Sequence, residues 1–326
     1  MKVLLFVPLL FLALSFGAAA EAPGGVLVLY TSQPEQDAAK TTAAFKAVYP
    51  EVTVQVFRSG TVEVMGKLSA EFAAGQPTAD VLLIADAVSM ESLKKDSRLL
   101  AYPRANVKGF PAGSYDTDRT YFGSKLITSG IAFHTSAPVK PTSWQDLVRP
   151  ELKGQVTLPS PLYSGAAAIQ LSTLAARGDL GWKFFQALRA NDAAPVQGNG
   201  AVLKAVSSGE KTYGVLVDYM AFNAKAKGSP IDFVFPKEGV TAVTEPVAIL
   251  KTTKNPEAAR AFVDFILSDE GQKLALAMGY IPAKAGVGSP AWLPPGTRIN
   301  LMPIDTAAVL KTGADDKQKF SDLFAN

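Results

Sequence analysis

Val26-Leu27-Val28-Leu29-Tyr30 is a continuous apolar run of strand length, and Ser32-Gln33-Pro34-Glu35 behind it has the spacing of a helix capping box. Working outward, Ala38, Thr42, Phe45 and Tyr49 recur every three or four residues, one buried stripe of a helix that Pro50 stops. Val52 to Phe57 alternates as a second strand. Ser59-Gly60-Thr61 supplies a turn and a cap, Met65, Leu68 and Phe72 line the next helix, and Asp80 to Ala85 reads as a third strand. Strands and helices alternating at this rhythm predict parallel pairing with helices on both faces, the doubly wound α/β class.

The rhythm resumes after Tyr121. Lys125 to Ile127 and Gly130 to Phe133 are candidate strands flanking Thr128-Ser129, and Gln155 to Leu158 is a strand ending at Pro159-Ser160-Pro161. Ser164-Gly165 opens a helix of small and apolar residues through Ala175. Helices are expected at Gly181 to Leu188 and Gly200 to Val206, and a strand at Tyr213 to Val217. Asn255-Pro256 caps a long amphipathic helix striped by Ala259, Phe262, Phe265 and Ile266, with a break at Ser268 to Gly271.

Composition removes most catalytic classes. The 326 residues hold 32 Lys and Arg against 29 Asp and Glu, a net +3 that marks no nucleic-acid binder. With no Cys there is no thiol catalysis, disulfide, iron–sulfur cluster or Cys-ligated zinc. The single imidazole, His134, rules out multi-His metal sites and leaves a serine hydrolase built on Ser164 without a well-placed base. No cofactor is expected, and the chain is expected to act as a monomer. Lys2 precedes an apolar run from Val3 to Phe16, shorter than the roughly 20 residues of a membrane span, and Gly17-Ala18-Ala19-Ala20 follows. Residues 1–20 therefore read as a secretory signal peptide cleaved near Ala20, which places the mature protein in the periplasm.

The order and spacing of several pieces carry a resemblance. Asn255-Pro256-Glu257-Ala258-Ala259-Arg260-Ala261-Phe262-Val263-Asp264-Phe265, then Ser268 to Lys273 and Gly279-Tyr280-Ile281-Pro282, are similar to the C-terminal signature of type II periplasmic binding proteins. With Leu29-Tyr30-Thr31-Ser32 and Ala79-Asp80-Val81-Leu82, the chain resembles the ferric-binding branch of these ABC-transporter solute receptors. The resemblance implies two doubly wound α/β lobes, 21–126 with 245–285 and 127–244 with 286–326, closing on a solute and delivering it to an inner-membrane permease. Hinge crossings are expected near Leu126 to Ser129 and Gly239 to Glu245.

The positions matching that branch's metal ligands read Pro34, Asp86 and, in its tyrosine pair, Tyr219-Met220. Fe(III) wants several anionic oxygens, and Pro34 and Met220 offer none. A ferric receptor using Tyr219, Asp86 and a bound anion is the alternative reading. The anion-holding motif survives in Tyr163-Ser164-Gly165-Ala166 and Gly198-Asn199-Gly200. Ser-Gly at a helix start aims free N–H groups, a hydroxyl and the positive helix pole at one point, which suits a phosphate-like group. Ser59-Gly60-Thr61 and Ser32 repeat the pattern in the first lobe, although each of these serines is also a natural helix cap. Arg58 and Lys125 add cationic charge, Thr128 lies at an expected hinge, and Tyr163 and Tyr219 can donate phenolic hydrogen bonds. Asp86, Asp218 or Glu245 would pair with an amine. The expected solute is a small organophosphorus anion, a phosphonate such as 2-aminoethylphosphonate or a phosphate ester.

Overall fold

The computed structural model describes residues 23–325; the expected signal peptide lies outside the described residues. From the amino end the chain alternates β1 (Gly25–Thr31), α1 (Glu35–Val48), β2 (Val52–Arg58), α2 (Thr61–Ala73), β3 (Val81–Leu83) and α3 (Ala87–Lys95). Two short strands follow, β4 (Leu99–Leu100) and β5 (Tyr121–Gly123). The next section holds β6 (Lys125–His134), β7 (Val156–Pro159), α4 (Gly165–Ala175), α5 (Gly181–Ala190), β8 (Ala194–Val196), α6 (Asn199–Ser207), β9 (Tyr213–Val217), α7 (Asp218–Ala226), β10 (Ile231–Val234) and β11 (Thr241–Val243). The chain ends with β12 (Pro246–Leu250), α8 (Pro256–Leu267), α9 (Asp269–Ala277), β13 (Ile281–Pro282) and α10 (Thr306–Phe324).

Two sheets result. The first runs β2-β1-β3-β12-β4 with β5 on β12; the second runs β10-β6-β9-β7-β8 with β11 and β13 on β6. Pairing is parallel where a helix returns the chain, as between β1 and β2 or β7 and β9, and antiparallel wherever β6 or β12 takes part. The fold is therefore mixed α/β in two sheet-containing lobes. Each lobe has its own core. In the first, Phe45 packs 5.0 Å from Phe262 and 5.7 Å from Phe265, so the expected stripe of α8 meets that of α1. Burying each such ring contributes about 1.5–3 kcal/mol. In the second, Trp144 is fully buried and donates from Nε1 to the Gly239 carbonyl at 2.9 Å. Trp182 packs at the edge of that core.

The lobes are joined side by side. The chain leaves the first sheet at Ser124 and returns at Thr244-Glu245, and the two passages hold each other. Ser124 N donates to Thr244 O at 3.0 Å, and Ser124 Oγ to Glu245 O at 2.7 Å. β6 runs unbroken through Leu126 to Ser129, where two short strands flanking Thr128-Ser129 were expected. The reason is that Thr128 and Ser129 are not turn residues here: they pair with β11, and Asp218 satisfies the Thr128 hydroxyl. A third passage places β13 beside Lys125 and Leu126. α10 then lies over α4 and α5 of the second lobe while touching α3 of the first.

Candidate functional site

A helix that follows a parallel strand begins at the strand's carboxyl end, so the helix starts of both lobes gather along one seam. A cavity of about 230 Å³ lies there. Pro34 at α1, Gly60 and Thr61 at α2, Ser164 and Ala166 at α4, Gly198 to Ala201 at α6, and Val217, Tyr219 and Met220 at α7 all line it. The first-turn amides of a helix have no intrahelical acceptor. Some are used locally: Val62 N donates to Tyr163 O at 3.3 Å, Ala167 N to Ser164 Oγ at 3.3 Å, and Ala201 N to Gly198 O at 3.0 Å. Asn199 Nδ2 also reaches Ser164 Oγ at 3.3 Å, tying the starts of α6 and α4 together. Arg58 is the only Lys or Arg lining the cavity among the described residues. Its Nε donates to Gln33 O at 2.7 Å, which holds the guanidinium and leaves its terminal nitrogens for a solute.

The hinge side differs. Glu245 lines the cavity and forms an ion pair with Lys125 in which both side chains are 3% exposed. Gln33 Nε2 donates to the same carboxylate oxygen, Oε2, at 3.2 Å. Lys125 Nζ stands 3.9 Å over the Tyr280 ring, whose centroid is 4.0 Å from that of Tyr219, and Tyr280 donates to Asp37 Oδ2 at 2.6 Å. Burial pushes the Tyr219 and Tyr280 hydroxyls well above their ordinary value. Burial also raises the Glu245 carboxyl, against the pull of Lys125. Glu245 has φ +36°, a left-handed conformation costly for a side chain with a Cβ, at the very passage between lobes.

Ten of the residues proposed from sequence line this cavity: Ser32, Arg58, Gly60, Thr61, Tyr163, Ser164, Ala166, Asn199, Tyr219 and Glu245. Five do not. Ser59 turns back to bond Glu63. Asp86 caps α3, accepting from Val88 N at 2.9 Å and Ser89 N at 3.1 Å, and burial raises its carboxyl. Thr128 and Asp218 spend themselves on each other, Thr128 Oγ1 donating to Asp218 Oδ2 at 2.6 Å, with Tyr219 N on Oδ1 at 2.7 Å. Desolvation pushes Asp218 up to about 6. Gly165 faces the first lobe, where a Cβ on it would meet Ala85 O at 2.8 Å. The expected capping box at Ser32 is also corrected: Pro34 is the N-cap residue of α1 without a side-chain cap, and Ser32 Oγ accepts from Ala85 N at 2.9 Å. Asp86 does not join Tyr219 at the cavity, and His134 bonds Ser136 beyond the far end of β6. Among the described residues no three His, Cys, Asp or Glu are grouped to hold a metal ion.

Sequence reading overlooked Ala85, Ile127, Gln197, Ala201 and Val217 as lining residues. Gln197 directly follows β8, a strand the sequence reading did not place. Pro34 and Met220, matched earlier to metal-ligand positions, both line the cavity and bring no anionic oxygen to it.

This chain belongs to the bacterial extracellular solute-binding proteins, whose family model matches residues 76–306. It is a periplasmic solute-binding receptor of the kind that serves ABC importers. It is 26% identical, over 91% of its own length and 86% of the relative's, to a probable ABC transporter periplasmic-binding protein of Sinorhizobium fredii. The periplasmic binding protein AfuA of Actinobacillus pleuropneumoniae, solved with exogenous fructose-6-phosphate, superposes with a TM-score of 0.79 at 24% identity, covering 92% of this chain and 96% of that one. Iron-bound HitA of Pseudomonas aeruginosa superposes at 0.77 with 20% identity, covering 90% and 99%. These likenesses span both a phosphate-ester complex and an iron complex on one fold.

Proposed function

We propose that this receptor captures a small organophosphorus anion, a phosphonate such as 2-aminoethylphosphonate or a phosphate ester, without a metal between protein and solute. The observation carrying this reading is the convergence of the α2, α4 and α6 starts with Arg58 on one cavity, where Pro34 and Met220, the positions that the sequence resemblance matches to metal ligands, bring no anionic oxygen. Helix starts and an Arg fork offer a tetrahedral oxyanion several donors at once and charge complementarity. Lys125 and Gln33 both bond Oε2 of Glu245, so Oε1 is left to accept from a solute ammonium group. AfuA, of the same fold, is described with a sugar phosphate, which supports a phosphorus head in this architecture.

Capture needs no bond-breaking. A solute touching both lobes gains its full contacts only when the cleft is shut, and its differential affinity shifts the population to the closed form a permease recognises. The two lobes move as bodies about Ser124 and Thr244-Glu245. Thermal unfolding with 2-aminoethylphosphonate, fructose 6-phosphate, inorganic phosphate and ferric citrate tests the reading. A bound solute at 100 times its Kd adds about 2.7 kcal/mol and raises Tm. Stabilisation by the phosphorus compounds with colourless protein is the expected result; stabilisation by ferric citrate alone, with an orange protein, overturns it.

A further inference from the structure

The loop between β7 and α4 carries Tyr163 to the seam between the lobes. A Cβ on Gly60, at the start of α2 in the first lobe, would lie 2.6 Å from the Tyr163 ring, and one on Gly198, at the start of α6 in the second, 2.9 Å from it. The ring is seated between two glycines on opposite sides of the cleft. Neither glycine is there for its backbone: Gly60 has φ −61° and ψ 153°, and Gly198 is fully extended at φ −170°. Gly165 repeats the pattern from the other side, since its Cβ would stand 2.8 Å from Ala85 O and 3.0 Å from Thr61 Cγ2. Across the same seam Val62 N donates to the Tyr163 carbonyl at 3.3 Å. An alanine at Gly165 must therefore shift the opposing Ala85 backbone, and one at Gly60 must displace the Tyr163 ring from its seat across the seam. The same change at Gly66, further along α2, meets nothing within 4 Å.

We propose that Tyr163 is a specificity-determining lid: its ring docks on Gly60 as the lobes close, completes the cavity wall and sets the largest solute that can be enclosed. The inference rests on reading this cavity as the solute site, and adds to it a size limit and a closing contact. Every docking contact is protein to protein, so docking favours the closed arrangement whether or not solute is present. A solute that needs the space of the ring must forgo those contacts.

The chain contains no Cys, so Lys46→Cys on α1 and Lys183→Cys on α5, both exposed, place one spin label on each lobe. Pulsed electron resonance on the solute-free protein is expected to give a short-separation population in the labelled parent and in Gly66→Ala. Gly60→Ala and, from the opposing surface, Gly165→Ala are expected to move that population to longer separation. In titrations, Gly60→Ala weakens 2-aminoethylphosphonate and fructose 6-phosphate alike by about tenfold or more, because the closed fraction scales both. Tyr163→Ala instead raises the affinity ratio of the sugar phosphate to the aminophosphonate, by about tenfold for the contacts given up and the space gained. A parent with no short separation, distances in Gly60→Ala and Gly165→Ala matching those in Gly66→Ala, or an unchanged ratio in Tyr163→Ala overturns the lid. If neither compound binds any variant while the distances respond as expected, the docking contact stands and the proposed solute class falls.

Discussion

The two sides of the cavity are built on opposite principles. On the side of the helix starts, charge comes from backbone amides and one exposed guanidinium, and Ser32, Ser164 and Asn199 are partly open to solvent. On the hinge side, Lys125, Glu245, Tyr219 and Tyr280 are buried and packed together, with Glu245 itself in a left-handed conformation. The first arrangement adds donors at little cost, because a helix start must leave amides unpaired anyway. The second removes two charges from water, and it is tolerable only while each keeps its partner. The hinge side thus ties structural integrity to the Lys125–Glu245 pair, even though Glu245 is also proposed to offer Oε1 to a solute, while Arg58 on the other side has little structural role. Substitutions should report which side they strike.

The largest effect should come from the hinge side. Glu245→Ala strands Lys125 in the interior and is expected to cost about 3–5 kcal/mol of stability, read as a drop in the urea midpoint. Lys125→Met combined with Glu245→Gln should recover a large part of that loss. A single-variant cost below about 1 kcal/mol, the range of surface pairs, would erase the contrast between the two sides. Arg58→Ala should do the reverse: stability within about 0.5 kcal/mol of the parent, but capture of a phosphorus anion weakened by about 1.5–3 kcal/mol, roughly 10- to 150-fold by calorimetry.

Acid titration sharpens the comparison further. Burial raises the Asp218 carboxyl from 3.8 to about 6, so the native chain binds this proton at a pH where the unfolded chain has released it. Its contribution is therefore least favourable above pH 6 and improves as pH falls toward 4, by at most about 1.4 kcal/mol per pH unit. Unfolding free energies of the parent and Asp218→Asn, followed between pH 4 and 7, should differ in slope by that sign; parallel curves would disprove it. The smallest effect is expected from Ser164→Ala. Losing the α4 cap should cost about 1 kcal/mol in thermal unfolding and free the Asn199 amide, with a larger loss pointing to a structural burden on the recognition side.

Much of this was legible beforehand for reasons that are local. The alternation from Val26 to Ala85 and the stripe of α8 follow from periodicity, because a buried face repeats at the pitch of its element. Ser164-Gly165 announced a helix start, and Ser164 does cap α4. Where reading failed, another partner had taken the side chain, distant in sequence for Ser32, Thr128 and Asp218 but local for Asp86 and Ser59. Ser32 was assigned to its own helix but bonds Ala85; Asp86 was offered to a solute but satisfies α3; Thr128 and Asp218 find each other across two strands. A hydroxyl or carboxylate beside a strand end has several geometrically reasonable partners, and nothing in its neighbours along the chain ranks them.

By itself, then, the sequence determined the class of fold, the helix starts, and the missing oxygen donors at Pro34 and Met220, since each depends on residue type and short-range spacing. Only the tertiary structure decided which of those helix starts share one cavity, which acids are consumed by the framework, and why Gly60 and Gly165 are glycines. Those outcomes depend on distances between atoms that the chain brings together from opposite lobes, and local preference carries no information about such distances.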